Sequence, residues 1–251
     1  MNFLIFFLEM DNRPVLRYFT QDRGYLQLCE NGDWSISLGG DSHCRNICRA
    51  MVDMIGYQRY QGGVRLARNF NFAEGGKRAM GFHGDPLFYD LRRGSAQIVL
   101  LHLGGNDLDM ATNRPWEAVV HDLLSLFVDL ERRGKIVYIV GLPSRHSTRH
   151  QDLRLMQQKI SRINKKLKRT IRTRFIALPP SCFPITSYER RWYRPRGQPN
   201  GRHREERVHL FPENYREAAD HILFRLNMDL RGRLSPPRRI RGKVNWFLDH
   251  Y

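Results

Sequence analysis

The sequence predicts an α/β protein in which a parallel sheet is covered by helices on both faces. Short apolar segments alternate along the chain with longer segments whose apolar residues recur at helical spacing. One short segment, residues 97–103, is apolar almost throughout, which is typical of a strand buried on both faces. Because strands that alternate with helices form parallel sheets, these observations predict a three-layer α/β/α fold.

Four segments are predicted to be strands. Residues 34–38 alternate between apolar and polar side chains, and Gly39-Gly40 is expected to end that strand. Residues 97–103 end at Gly104-Gly105, and residues 136–140 end before Gly141 and Pro143. Residues 175–178 form a further short strand before Pro179-Pro180.

Four segments carry apolar side chains at helical spacing. The first helix follows residue 40 and includes Ile47, Met51, Val52 and Ile55. The second is opened by Pro115, which suits a first helical turn, and extends to Leu130. The third covers residues 153–171, and the last begins at Pro212. Residues 181–207 are rich in Arg, Pro and Gly and are predicted to form a loop.

These elements predict one domain with two appended ends. The domain covers residues 34–230, with an N-terminal extension over 1–33 and a basic C-terminal tail over 231–251. No segment supplies the roughly 20 apolar residues that a membrane-spanning helix needs. The apolar start lacks a basic leader, and four cysteines are too few for a disulfide scaffold, so an intracellular, cytoplasmic protein is expected. No cofactor and no metal site are expected, and the oligomeric state is left open.

The charge balance is strongly basic. Among 251 residues, 42 are Lys or Arg and 25 are Asp or Glu, which gives a formal net charge of +17. Such a surface attracts polyanions, and it indicates a partner class rather than a fold. The hydrophobic share of 41 % makes wholesale disorder unlikely to be the native state of this chain.

Three polar stretches lie where ligands bind in a parallel sheet, beyond strand ends or before a helix. Residues 39–43 read Gly-Gly-Asp-Ser-His, residues 104–107 read Gly-Gly-Asn-Asp, and residues 206–209 read Glu-Arg-Val-His. Each has a simpler explanation when taken alone: a helix cap, a strand-to-loop turn and a solvated histidine. Together they supply a serine, an amide donor, and a histidine with a carboxylate three residues before it.

This combination resembles the SGNH hydrolases, also called GDSL-type esterases and lipases. Gly40-Asp41-Ser42 matches the first family block, Gly104-Gly105-Asn106-Asp107 the third, and Glu206-Arg207-Val208-His209 the fifth. The resemblance covers about residues 34–228 and implies a flavodoxin-like α/β/α fold. Glu206 stands where the family usually has Asp. His43 stands where many members have an apolar residue, and in this it resembles animal and transposon-associated members.

The resemblance implies a serine-dependent hydrolase of ester or acetyl groups acting on a small acyl ester. Ser42 would be the nucleophile, His209 the general base and Glu206 its orienting carboxylate. The N–H groups of Ser42 and Gly63 and the amide of Asn106 would form the oxyanion hole, with Asp41 and Asp107 in supporting roles. Gly62 and the pair Gly75-Gly76 are alternatives to Gly63.

A second reading is a catalytically idle relative that binds RNA or DNA. Arginine beside aromatic residues can grip phosphates and stack on bases. The candidate residues lie in the third helix and in the loop after it; they are Lys165, Lys166, Arg169, Arg190, Arg191, Trp192 and Arg194.

Overall fold

The computed structural model describes residues 34–55, 60–61, 64–109, 114–146, 152–182, 191–193, 204–206 and 209–230. The predicted extension over 1–33 and the predicted tail over 231–251 lie outside the described residues, so both stay predictions. Between them is a six-stranded sheet with strand order β2-β3-β1-β4-β5-β6. The strands are β1 (Trp34–Gly40), β2 (Tyr60–Gln61), β3 (Val64–Ala73), β4 (Ile98–His102), β5 (Ile136–Val140) and β6 (Phe175–Ile176).

All neighbouring strands of this sheet are parallel except β2, which is antiparallel to β3. The helices are α1 (Ser42–Ile55), α2 (Pro86–Arg93), the single turn α3 (Gly105–Leu108), α4 (Trp116–Arg132), α5 (Leu153–Ile171) and α6 (Pro212–Leu230). A parallel sheet requires such crossovers, because the chain must return to the same edge before each new strand.

The two faces of the sheet carry separate hydrophobic clusters. On one face, α1 and α6 cover alternate strand residues that include Ile36, Leu100 and Tyr138. On the other face, α2, α4 and α5 cover the intervening residues, such as Val99 and Ile139. The central strand β4 is buried along its whole length, which confirms the prediction from its continuous apolar composition. The three-layer α/β/α prediction is therefore confirmed.

The structure differs from the expectation at β1, which continues through Gly39 and Gly40 instead of ending before them. Both glycines are needed for close approach rather than for a turn. A Cβ atom at Gly40 would lie 2.1 Å from the backbone oxygen of His102, and one at Gly39 would lie 2.5 Å from the side chain of Leu91.

Several other elements were not anticipated, among them β2, α2 and the single turn α3. Strand β3 has polar residues at Arg65, Asn69 and Asn71 among its apolar ones, and this mixed pattern hides a ten-residue strand. The segment predicted as a loop contains an antiparallel pair, β7 (Arg191–Tyr193) and β8 (Arg204–Glu206). Its arginine-rich composition concealed the pairing, because charged residues are depleted in most strands. Strand β6 is two residues shorter than predicted.

The register of the three central strands determines where the polar turns emerge. Gly40 pairs with Ala73 on β3 and with His102 on β4, so these three residues form one row across the sheet. Ser42, Gly75 and Gly104 each follow their member of the row by two residues. The polar turns therefore leave the sheet side by side at its carboxyl edge.

None of the helices in the described part of the chain is both long enough and apolar enough to cross a lipid bilayer.

Candidate active site

Ser42 begins helix α1 directly beyond the carboxyl end of β1. The preceding Asp41 caps this helix, since its carboxylate accepts hydrogen bonds from the N–H groups of His43 at 3.0 Å and Cys44 at 3.4 Å. The Asp41 N–H in turn donates to the backbone oxygen of His102 at 3.2 Å. Asp41 is buried, and its hydrogen bonds hold the Ser42 turn in place from within. The N–H groups in the first turn of a helix have no partner inside it, and Asp41 accepts from two of them in α1, those of His43 and Cys44.

His209 lies three residues before α6 and reaches the same point. Its Nε2 atom is 3.0 Å from Oγ of Ser42, although the two residues are 167 positions apart in the chain. This is the hydrogen bond that a general base needs in order to take the proton of an attacking hydroxyl. The sequence reasoning had placed these two residues in one site, and the structure brings them together.

Glu206, the predicted orienting carboxylate, is the last residue of β8 and pairs with Arg191 on β7. Its side chain lies outside the described part of the chain, so its role stays a prediction.

The second polar turn holds Asn106 in α3. Gly104, which precedes this turn, has a φ of 111° that only glycine adopts readily, and its position allows the chain to leave β4 sharply. The half-buried amide of Asn106 donates from Nδ2 to the backbone oxygen of Lys77 at 2.9 Å. An amide nitrogen carries two protons, so a second donor remains on the same atom.

Asp107 is a structural brace rather than a surface turn residue. Its fully buried carboxylate accepts hydrogen bonds from the N–H groups of Ala79 at 2.7 Å and Met80 at 3.0 Å. It also forms an ion pair with Arg114, whose guanidinium contacts Asp122 as well. Asp107 therefore ties the Asn106 turn to two other parts of the chain, and its sequence neighbours give no sign of these partners.

The predicted oxyanion glycine, Gly63, lies outside the described residues, as does Gly62. The described Val64 pairs with Trp34, at the start of β1 and opposite to the edge that carries Ser42. The carboxyl end of β3 instead leads into Gly75, at the same edge of the sheet as the Ser42 turn. The N–H of the intervening Glu74 donates to the backbone oxygen of Gly40 at 3.0 Å. The register thus favours Gly75, one of the alternatives, over Gly63.

Three more aromatic side chains surround the Ser42–His209 pair. The buried ring of His43 stacks on that of His209 with centroids 5.5 Å apart, and it meets His102 edge-on at 5.9 Å. Nδ1 of His43 is 3.0 Å from the hydroxyl of Tyr215, and Nδ1 of His102 is 3.2 Å from the backbone oxygen of Val140. Burial lowers the pKa of His43 well below its usual range, and Arg145 and the neighbouring histidines lower it further.

The sequence contained partial signals for this cluster. His43 had been noticed only as a departure from the usual apolar residue, and His102 stands out as a polar residue at the end of a buried strand. Arg145 was missed. Its buried guanidinium is 3.5 Å from Asp109, and a Cβ atom at Gly105 would lie 2.7 Å from its Nη2 atom. Nothing in its local sequence sets it apart from the many other arginines.

The described residues contain no group of three or more His, Cys, Asp and Glu side chains that could hold a metal ion. Cys44 and Cys48 are buried free thiols in α1. Burial raises the pKa of Cys44, and it raises the pKa of Cys48 to about 12. Both therefore remain protonated and pack as small apolar side chains.

The candidate nucleic-acid residues are only partly described. Lys165 and Arg169 are exposed on α5, and Lys166 is half-buried there. Arg191 and Trp192 belong to β7, where only the backbone is described, whereas Arg190 and Arg194 lie outside the described residues.

No protein-family model matches the chain, and no curated protein sequence matches it. Several solved structures do. A candidate acylhydrolase from Bacteroides fragilis superposes with a TM-score of 0.55 at 16 % identity, over 85 % of this chain and 99 % of its own. A carbohydrate acetylesterase from Sinorhizobium meliloti gives 0.53 at 14 % identity, over 78 % and 99 %. The OSK domain of Drosophila Oskar gives 0.54 at 14 % identity, over 83 % and 99 %.

The protein thus has the three-layer fold of the SGNH, or GDSL-type, hydrolases, as the resemblance of its three blocks implied. At these identities the similarity establishes the fold, and the chemistry has to be argued from the side chains of this chain.

Proposed function

We propose that this protein is a serine-dependent hydrolase of the SGNH type that cleaves an ester or acetyl group of a small acyl substrate. One observation carries the proposal: the 3.0 Å contact between Oγ of Ser42 and Nε2 of His209 at the carboxyl edge of the sheet. Support comes from the adjoining turns, which supply backbone N–H groups and the Asn106 side-chain amide at the same edge.

The reaction would proceed through an acyl-enzyme. His209 takes the hydroxyl proton of Ser42 on Nε2 while Oγ forms a bond to the substrate carbonyl carbon. The bond to the leaving alkoxide then breaks, and the imidazolium of His209 returns the proton to it. A water molecule, deprotonated by His209, attacks the acyl-enzyme, and the carboxylic acid leaves as Oγ of Ser42 regains its proton.

The negative charge that forms on the carbonyl oxygen needs donors that are already in place. We assign this role to the N–H groups of Ser42 and Gly75 and to the free N–H of the Asn106 amide. Gly75 follows β3 and Asn106 follows β4, on the two strands that flank β1, so the donors approach from both sides of Ser42. Preorganised donors of this kind are each worth about 10²–10³ in rate.

The direct test is covalent labelling by a fluorophosphonate probe, with hydrolysis of p-nitrophenyl acetate as the activity assay. Wild type should be labelled on Ser42, and Ser42→Ala should show neither labelling nor turnover. A folded wild-type protein that is not labelled and hydrolyses no short acyl ester would contradict the proposal.

The chain offers a matched control. Ser125 also hydrogen-bonds a histidine, with its Oγ 3.0 Å from Nε2 of His83, but it lies within α4 rather than at a strand end. Ser125→Ala should therefore leave both labelling and turnover at the wild-type level. Loss of labelling in this variant would show that the probe had reported the wrong serine.

A second candidate function, binding of RNA or DNA, is favoured by one surface. Helix α5 contains no acidic residue, and its exposed positions include five cations, namely Arg154, Arg162, Lys165, Lys168 and Arg169. A helix surface with five exposed cations and no carboxylate suits a phosphate backbone, and such binding does not require the Ser42 site to be inactive.

Nucleic-acid binding should weaken as salt rises, because bound counterions are released when phosphates are neutralised. Replacing Lys165 and Arg169 by Gln should weaken binding to a single-stranded oligonucleotide and reduce the slope of log K against log salt by about 0.9 per lost contact on a duplex and somewhat less on a single strand. Replacing Arg132 and Arg133, two exposed cations at the end of α4, removes the same charge and should have little effect. Equal losses from both pairs would indicate nonspecific attraction and contradict a binding face on α5.

A further inference from the structure

One hydroxyl contacts the neighbours of both candidate catalytic residues. The Tyr215 hydroxyl, on the first turn of α6, is 3.0 Å from Nδ1 of His43, and it accepts the Leu210 N–H at 3.3 Å. His43 directly follows Ser42, and Leu210 directly follows His209. Tyr215 is buried, so water does not compete strongly for these hydrogen bonds.

We propose that Tyr215 is a positioning residue, which acts through His43 and the Leu210 backbone to hold the general base His209 against Ser42. The inference rests on the proposed function and deepens it. The single Ser42–His209 hydrogen bond joins two segments 167 residues apart. The Tyr215 hydroxyl adds a second connection between the same segments, one residue away on each side.

The Tyr215 oxygen accepts from the Leu210 N–H and keeps both its proton and a second lone pair, so its hydrogen bond with Nδ1 of His43 suits either tautomer of a neutral imidazole. A buried neutral histidine is consistent with the surroundings of His43: Arg145 from the loop after β5, His102 from β4 and His209 before α6 all disfavour a positive charge on it. The carboxylate of the nearby Asp41 accepts hydrogen bonds from backbone N–H groups of the same turn.

The ring of His43 also restrains His209 directly. It lies against the His209 ring at 5.5 Å with an angle of 27° between the two planes. This contact limits rotation of the His209 ring away from Ser42. Because His43 is neutral, its face can also lie beside the imidazolium that His209 becomes during the reaction without charge repulsion.

A purely structural role is the competing explanation, since a buried tyrosine hydroxyl stabilises any core when it is hydrogen-bonded. The two explanations differ in what the loss of the hydroxyl changes. A structural hydroxyl affects the fraction of folded protein, whereas a positioning hydroxyl affects turnover per folded molecule. Small displacements of reacting groups are costly, since about 1 Å can reduce the rate about 10²-fold.

The experiment compares Tyr215→Phe with Tyr138→Phe. Tyr138 is also buried in the core and donates its hydroxyl proton to Asp229 at 2.5 Å, but it lies in the middle of β5. Each variant removes one oxygen from a buried ring. We expect Tyr215→Phe to lower kcat for p-nitrophenyl acetate about 10- to 100-fold at unchanged KM, and Tyr138→Phe to keep wild-type kcat. The melting temperatures of both should fall by similar amounts.

A second pair of variants tests the path through His43 and keeps the test usable if Tyr215→Phe does not fold. His43→Asn places an amide near the position of Nδ1 and keeps a hydrogen-bond partner for the Tyr215 hydroxyl, whereas His43→Leu removes this partner and retains the bulk. Turnover should be higher in His43→Asn than in His43→Leu, and Tyr215→Phe should remove this difference.

The outcomes separate the two proposals. An inactive and unlabelled wild type would contradict the hydrolase proposal itself. An active wild type whose kcat is unchanged by Tyr215→Phe, or whose His43→Asn and His43→Leu variants turn over equally, would overturn the positioning role and leave the hydrolase proposal intact.

Discussion

The described part of the molecule contains two Ser–His pairs with the same contact distance. Oγ of Ser42 and Nε2 of His209 are 3.0 Å apart, and so are Oγ of Ser125 and Nε2 of His83. Their surroundings differ. Ser42 stands at the first turn of α1, beyond a strand end, whereas Ser125 lies in the middle of α4. The backbone N–H groups around Ser125 are used within the helix, so an oxyanion formed there would have no donors.

The two pairs therefore share the same Ser–His contact and differ in the residues around it. His83 lies in a 3₁₀ turn, Phe82–Gly84, and its contact with Ser125 is exposed to solvent. His209 shares its site with a buried ring that stacks on it and with two glycine turns. A Ser–His hydrogen bond marks a candidate active site only where strand ends also bring hydrogen-bond donors and tightly packed side chains to the same point.

The largest effect is expected from removing each histidine. His209→Gln should lower kcat for p-nitrophenyl acetate by about 10⁴–10⁶, because the nucleophile loses its base. His83→Gln should keep kcat within about twofold, since no developing charge is stabilised near Ser125. Turnover is measured on folded protein verified by circular dichroism. A comparable loss in both variants would show that the two pairs do not differ as the surroundings indicate.

The next largest effect is expected from Asp107, whose carboxylate holds the Asn106 turn in place. Ser125 has no such support in the described part of the chain. Asp107→Ala leaves the buried Ala79 N–H, the partly buried Met80 N–H and the Arg114 guanidinium without their carboxylate partner. The free energy of unfolding should fall by about 3–5 kcal/mol, as for other broken buried ion pairs. Denaturant unfolding measures this loss. Asp85→Ala, which removes the cap of α2, should cost only about 1 kcal/mol, and an equal loss would contradict the assigned role of Asp107.

Asn106→Ala tests chemistry apart from stability. Loss of one oxyanion donor should reduce kcat by about 10²–10³ with little change in KM. The hydrogen bond to the Lys77 backbone oxygen is also lost, so unfolding experiments are run alongside. A variant with wild-type kcat would exclude Asn106 from the oxyanion hole.

The sequence was sufficient to predict features that depend on short local patterns. Asp41, Ser42 and Asn106 occupy short motifs at strand ends, and periodicity placed β4, α4 and α5 correctly. The pairing register between the strands could not be predicted from the sequence in the same way. Strand β3, whose polar residues obscured it, was not predicted, so Gly75 at its carboxyl end remained only an alternative to Gly63.

Contacts between side chains far apart in the sequence also could not be predicted. The three contacts of Asp107 and the Tyr215 connection to His43 join residues that are 7 to 172 positions apart. Side-chain pairs at such separations follow from packing of the finished fold, and no local pattern encodes them. The Ser125–His83 pair shows the converse, since proximity of this kind also arises with no functional motif around it.

The smallest expected effect compares the two histidines whose pKa values are lowered. Burial is the first cause for both His43 and His83, but His83 is the more exposed of the two, and Asp129 and Asp122 raise its pKa and oppose the shift. Below the ordinary histidine pKa of about 6.5, the unfolded chain binds a proton that folded His43 does not, so stability must fall as pH falls through this window. From pH 7.5 to 6.0 the His43 contribution should be about 1 kcal/mol. His43→Leu should flatten the pH dependence of the free energy of unfolding by this amount, and His83→Leu should change it less. Because His102 and His209 lie beside His43, the difference between variants is the relevant quantity, and an unchanged slope in His43→Leu would mean that His43 is charged in the folded protein.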